Sequence, residues 1–111
     1  MQLARPQRPR RICAEPAYDS FSPDGIPCGE PILLSVDEYE VIRLVDLEKK
    51  THEQCAVQME VSRTTVTEMY ESARTKLAQS LVNGRKLLIS GGRYRLCGGI
   101  ELTEALREVG R

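Results

Sequence analysis

Residues Thr51 to Tyr70, reading THEQCAVQMEVSRTTVTEMY, restrict the fold more than any other stretch of the chain. Their apolar residues recur at helical spacing on both sides of Val61-Ser62. That is the pattern of two short-linked helices crossing at a sharp angle, the second placed to enter a DNA groove. Ala56 is small where such a crossing leaves no room for a larger side chain. Cys55, Met59, Val61, Val66 and Met69 supply the apolar positions that pin the pair together. Ser62 stands where an N-cap belongs, its hydroxyl able to accept an orphan backbone N–H of the second helix. Arg63, Thr64, Thr65, Thr67 and Glu68 then face outward from that helix's first turns. Base-edge readout in a major groove requires a helix N-terminus dressed this way. The same spacing also fits an ordinary helical hairpin with a solvated outer face.

At 111 residues, with 41% hydrophobic and 29% charged residues, the chain has the size and balance of one soluble domain with appended segments. One Phe and no Trp make the expected core aliphatic. No apolar run approaches the roughly 20 residues of a membrane span. The basic N-terminus has no apolar stretch after it, unlike a secretory signal, so the expected location is cytoplasmic. Net charge is zero, yet the charges are segregated. Residues 1 to 11 carry Arg5, Arg8, Arg10 and Arg11 and no acid. Residues 61 to 95 carry seven bases (Arg63, Arg74, Lys76, Arg85, Lys86, Arg93, Arg95) against Glu68 and Glu71. Asp37, Glu38, Glu40, Asp46 and Glu48 crowd the first predicted helix. Such a molecule can turn a basic face to phosphates while its total charge cancels.

Four pieces follow one another. Residues 1 to 11 alternate Arg with Pro and lack apolar periodicity; an extended, mobile arm is expected, either reaching along DNA or simply solvated. Residues 12 to 34 are rich in Pro and Gly, with a turn at Ser22 to Gly25. They predict an ordered loop anchored by Tyr18, Phe21 and Ile26, with no regular element before Ile32. Residues 35 to 83 are helical. Ser35 with Glu38, and Thr51 with Gln54, form capping boxes. Val41, Ile42, Val45 and Leu44 form the first apolar stripe. Val66, Met69, Tyr70, Ala73, Leu77 and Leu81 form that of the longest helix, and Asn83-Gly84 stops it. In residues 84 to 111, LLIS and RYRLC joined by Gly91-Gly92 predict a small β-hairpin, with a final helical turn or two over Glu101 to Val109.

Val61 to Leu81, reading VSRTTVTEMYESARTKLAQSL, resembles region four of bacterial sigma factors, including the Arg74-Thr75-Lys76-Leu77 segment. Across residues 5 to 92 the chain more closely resembles a family of small, uncharacterised prokaryotic proteins predicted to bind DNA. The shared marks are the Arg-Pro-rich start, the loop Phe21 to Gly25, the phrase DEYEVIRLVDLE and the ending LVNGRKLLISGG. The resemblance implies a mainly α fold: a sigma-region-four-like, winged-helix-like helix-turn-helix with an extended N-terminal arm and a small C-terminal β-hairpin. One departure stands out. Glu60 occupies a turn position where many helix-turn-helix sequences have Gly, which implies some strain or a different turn.

Chemistry outside DNA binding is sparse. Cys13, Cys28, Cys55 and Cys97 contain no CxxC pair, so a metal site on Cys13, Cys28 and Cys97 is not expected, nor is a structural disulfide. Cys55 falls on an inward helical position as a small core hydrophobe. His52 is expected to cap its helix or face solvent, with no triad or carboxylate pair around it. Asp37, Glu38 and Glu40 read as a solvated helix face. No enzyme and no cofactor are expected.

The expected function is sequence-specific binding of double-stranded DNA as a transcriptional regulator. Arg63, Thr64, Thr67 and Glu68 are the candidates for base edges. Ser62, Thr65, Arg74 and Lys76 are the candidates for phosphates, and Arg5, Arg8, Arg10 and Arg11 should add unspecific affinity. One recognition helix covers little DNA, which favours a homodimer joined through the segment after Gly84. Two other classes fit: a module gripping RNA polymerase or another part of the transcription machinery, and a thiol- or metal-responsive regulator using Cys13, Cys28 and Cys97.

Overall fold

The first helix starts where two local signals agree. Ser35 Oγ accepts the Glu38 backbone N–H at 3.2 Å, and the Glu38 carboxylate returns to the Ser35 N–H at 3.0 Å. This capping box satisfies two N–H groups that would otherwise be unpaired. The computed structural model describes residues 9–13, 15–27 and 29–96. It is mainly α with a few short strands: β1 (Arg10–Ile12), β2 (Ser20–Phe21), β3 (Ile32–Leu34), α1 (Val36–Ile42), α2 (His52–Met59), α3 (Arg63–Asn83), β4 (Leu87–Ile89) and β5 (Tyr94–Leu96). A π-helical turn, Arg43–Leu47, continues α1. Two residues past its end, Lys49 takes the left-handed region, with φ of +63°. Among the described residues, no helix is long and apolar enough to cross a membrane.

The second capping box forms as expected between Thr51 and Gln54, and Ser62 caps α3 by accepting the Thr65 N–H at 3.1 Å. Gly84 closes α3 in the left-handed region at φ +67°, its N–H bonded to the Ser80 carbonyl. The core is aliphatic. Val41, Leu44, Cys55, Met59, Val66 and Ala73 are fully buried where α1, α2 and α3 meet, and Val61, Met69, Tyr70 and Leu77 pack against them. Leu81 departs from the expected stripe. It is 84% exposed, because the last turn of α3 runs past the end of the core.

The strands depart further from the sequence expectation. β4 and β5 do not pair with each other, so the predicted hairpin is absent. β4 instead lies between β2, antiparallel, and β3, parallel. β5 pairs in parallel with β1, Arg10 opposite Tyr94 and Arg11 opposite Arg95. The glycine pair does adopt positive φ, +79° at Gly91 and +102° at Gly92, but it serves close approach rather than a hairpin turn. The Gly91 carbonyl accepts the Val36 N–H at 2.9 Å. A Cβ on Gly92 would stand 2.4 Å from Asp37 Oδ1. The chain is thereby laid over the N-terminus of α1 and carried on to β1.

The N-terminal pieces change with it. Arg10 and Arg11 lie in a strand, not in a free arm, while Arg5 and Arg8 lie outside the described residues. The segment read as an ordered loop with no regular element before Ile32 contains β2 as well as β3, and β1 reaches into its start. Its anchors are Ile12, Ile32 and Leu34, all buried. Tyr18, Phe21 and Ile26 are each more than half exposed, the first two in an edge-to-face contact with each other. The expected helical turns over Glu101 to Val109 lie outside the described residues.

Gly92→Ala meets both a forbidden dihedral and a carboxylate, whereas Gly91→Ala meets open space and only the dihedral. Urea unfolding should show a loss of about 3 kcal/mol for Gly92→Ala and about 1 kcal/mol for Gly91→Ala. Equal losses would mean that the approach to Asp37 does not matter.

Candidate nucleic-acid interface

The surface in question is built on α3 and supported by α2. Three residues, Glu60 to Ser62, join these helices, and the Val61 N–H returns to the Ala56 carbonyl at 3.0 Å. Glu60 stands in the left-handed region at φ +62° and ψ +45°. Of the two alternatives raised by a non-glycine here, the turn is therefore the strained one. Ala56, 4% exposed, is buried beside the turn, as a close helix crossing requires.

The predicted contact residues do not share one environment. Arg63, Thr64 and Glu68 are exposed on the first two turns of α3, and Ser62 is exposed at its cap. Thr65 is half-buried, its Oγ1 2.9 Å from Ser62 Oγ. Thr67 is half-buried too and turns toward α2, where its Oγ1 lies 3.0 Å from His52 Nδ1. Arg74 is exposed but held: it lies over the Tyr70 ring at 5.3 Å and donates to Tyr70 Oη at 2.7 Å. Lys76 is turned away from the others and pairs with Glu38 on α1 at 2.8 Å. Arg10 lies against Asp37, with Nε 3.8 Å from Oδ2. Arg11 donates from Nε to the Gln58 carbonyl at 2.8 Å, capping the end of α2. The structure thus gathers Ser62, Arg63, Thr64, Thr65 and Glu68, with Arg74 further along the helix. It assigns Lys76, Arg10 and Arg11 to intramolecular bonds.

The acids of α1 explain this. Asp37, Glu38 and Glu40 do not form a solvated face. All three are buried, Glu40 completely. Glu40 takes a bidentate pair from Arg43, Nε to Oε1 and Nη2 to Oε2 both at 2.9 Å, and also the Cys13 backbone N–H at 3.1 Å. Hydrogen bonding to Glu40 raises the pKa of Arg43 despite the opposing cost of burial. Glu38 accepts from Lys76, Ser72 Oγ and the Ser35 N–H. Burial pushes its carboxyl up, but these bonds and the Lys76 charge outweigh it and hold it below the ordinary value of 4.5.

Sequence reasoning missed three contacts around this surface. His52 neither caps nor faces water; it braces Thr67 and packs edge-on against Tyr70 with centroids 4.9 Å apart. Tyr70, read as apolar, donates its hydroxyl to Asp46 at 2.8 Å while accepting from Arg74. The spacing of His52 from Thr67 and Tyr70 carries no sequence signal, because it depends on how α2 crosses α3. Arg95 and Glu60 are the third case, joined by an ion pair. Here the alternation of buried Tyr94 with outward Arg95 was legible, although its partner was not.

Cys55 is a core hydrophobe as expected. Its thiol donates toward Met59 Sδ at 3.7 Å, and burial, with the Glu40 charge adding, pushes its pKa up to about 11. Contrary to expectation, Cys13 is disulfide-bonded; Cys28 and Cys97 lie outside the described residues. Among the described residues, no group of three or more His, Cys, Asp or Glu is placed to hold a metal ion.

These features define a mainly helical protein with short strands, whose α2 and α3 meet at a tight turn and whose first helix is fastened by buried ion pairs. The chain belongs to the family described as protein of unknown function DUF134, whose model matches residues 1–97. It is 49% identical to a UPF0251 protein of Desulfitobacterium hafniense (strain DSM 10664 / DCB-2) over 100 residues, covering 88% of this chain and 80% of that protein. It is 46% identical to a UPF0251 protein of Pelotomaculum thermopropionicum over 96 residues, covering 85% and 73% respectively. A third relative, UPF0251 protein TTE1845 of Caldanaerobacter subterraneus subsp. tengcongensis, is 43% identical over 98 residues, covering 86% and 83%. No solved structure matches the chain.

Because the folded pKa of Glu38 is depressed, its contribution to stability is complete above 4.5 and is lost as pH falls through the folded value. The stability gap between wild type and Glu38→Gln in urea should therefore shrink from about pH 6 to about pH 3. A constant gap would contradict the linkage. Cys55 should resist an aromatic disulfide reagent at about pH 8 in the native protein and react once urea unfolds it, as mapped by mass spectrometry.

Proposed function

We propose that the protein is a sequence-specific DNA-binding regulator that reads the major groove with the N-terminal half of α3. One observation carries this reading: Arg63, Thr64 and Glu68 project from the first two turns of a long helix whose opposite face, through Val66 and Ala73, is fixed in the core. A rigid helix with an unobstructed polar N-terminal end has the form that base-edge readout needs. Ser62 and Thr65, at the cap, suit phosphate contact, and Arg74 lies further along the same helix. Thr67 acts here as a support set by His52. One such helix covers few base pairs, so a homodimer on a two-fold site is the expected binding form.

A second reading is favoured by the disulfide at Cys13, whose backbone N–H rests on the Glu40 carboxylate. In that reading DNA affinity responds to thiol redox state. It would change with reductant in the wild type and not in Cys13→Ser.

Selection of random duplex DNA against the full chain tests the proposal, with Arg63→Ala beside it. Arg63→Ala should relax one motif position and cost about 1–3 kcal/mol at the preferred site. Removal of residues 1–8, which leaves β1 intact, should weaken all sequences alike. Binding without any enriched motif would reduce the protein to a non-specific binder. No binding at all would favour a module that grips other proteins.

A further inference from the structure

Two arginines face each other across the β1–β5 ribbon, Arg11 and Arg95 in direct register. Like charges opposed on neighbouring strands repel, so such a pair needs a counter-ion. One carboxylate serves both. Glu60 forms an ion pair with Arg95 and approaches Arg11 Nη1 at 3.8 Å. Among the described residues the balance is two positive charges to one negative, at a place where all three side chains reach solvent, Glu60 the most at 45%. Arg11 does not depend on Glu60 for its position, because its Nε is fixed to the Gln58 carbonyl. Glu60 itself occupies a strained left-handed residue that Gly would fill more cheaply. The next two residues lead directly into the exposed cap of α3.

We propose that Arg11 and Arg95 form a binding site for a backbone phosphate of DNA on the flank of α3, and that Glu60 is the resident anion that the phosphate displaces. The inference rests on the DNA-binding reading given above. Guanidiniums are suited to this exchange, since their planar donor forks fit carboxylate and phosphate oxygens alike. When the phosphate enters, the Glu60 side chain swings to solvent and the net charge at the site remains favourable to the anion. Glu60 thus moderates unspecific affinity: with it in place, the two arginines present one uncompensated charge rather than two.

The test is binding of the full chain to a mixed-sequence duplex of about 20 base pairs over a salt series, comparing wild type, Glu60→Gln, Arg95→Gln and the double variant. Glutamine keeps the size of the Glu60 side chain, and thermal unfolding verifies that each variant folds. Glu60→Gln should tighten binding on the order of fivefold at low salt and steepen the slope of log affinity against log salt by about one, the signature of an added phosphate contact. Arg95→Gln should weaken binding and flatten the slope by about one, and the double variant should fall near wild type. Wild-type binding with the same slope in all four proteins would overturn the phosphate site and leave the DNA-binding reading intact. Absence of binding by wild type and Glu60→Gln alike would overturn both.

Discussion

Three of the contacts that fix the frame around α3 run through the buried acids of α1. Asp37 meets Arg10 of β1, Glu38 meets Lys76 of α3, and Glu40 meets Arg43 in the π-helical turn while receiving the backbone of Cys13. A carboxylate without water costs several kcal/mol unless its partner and its remaining lone pairs are supplied. Glu38 and Glu40 meet that condition and make a strict demand on the rest of the chain, while Asp37 has only the 3.8 Å approach of Arg10 and its Oδ1 accepts no hydrogen bond among the described residues. The strand before α1, the turn after it and the middle of α3 must all arrive in the correct register. Hydrophobic contacts alone would tolerate a helix sliding or rotating by part of a turn; Glu38, held by Ser35, Ser72 and Lys76 at once, does not.

That demand also explains what could and could not be read from the sequence. Features decided within a turn or two of chain were legible: both capping boxes, the Ser62 cap, the Gly84 stop and the burial of Cys55, Met59 and Val66. Each depends on neighbours at fixed spacing, which the sequence displays directly. The charge segregation was visible, but only part of it is presented to solvent. Acids gathered on one segment and bases on another suggested a face offered to an external polyanion. Folding brings Arg10 and Lys76 onto those acids, so part of the segregation records internal pairing between distant segments, while Arg43 pairs locally with Glu40. The exposed cationic surface is accordingly smaller than the composition of residues 61 to 95 suggests.

The strands illustrate a similar limit. LLIS-GG-RYRLC has the local marks of a hairpin, and the glycines do take the positive φ that such a turn needs. Two longer-range contacts override that preference. Val36 requires an acceptor for its N–H at the start of α1, which Gly91 provides, and Asp37 leaves room beside it only for a residue without Cβ, which Gly92 provides. β4 is left to pair with the two strands that precede α1, and β5 to pair with the chain's own beginning. Parallel pairing between residues some eighty positions apart leaves no periodic trace in sequence.

The same closure bears on the turn between α2 and α3. Arg11 of β1 and Arg95 of β5 converge there, one on the last turn of α2 and both on Glu60. A three-residue connection containing a left-handed glutamate is costly by itself, of order 1–3 kcal/mol for such a backbone. The ribbon offsets part of that cost by holding the side chain that glycine would lack. The orientation of α3 is consequently braced from several elements: His52 of α2 holds Thr67, Asp46 of the π-helical turn holds Tyr70, Glu38 of α1 holds Lys76, and the ribbon holds Glu60 in the turn that leads into it. Loosening β1 from β5 would remove the Glu60 clamp without touching a single residue of α3. The geometry of its exposed polar end thus depends on residues far from it in sequence, and β1 and β5 are part of the device that aims it.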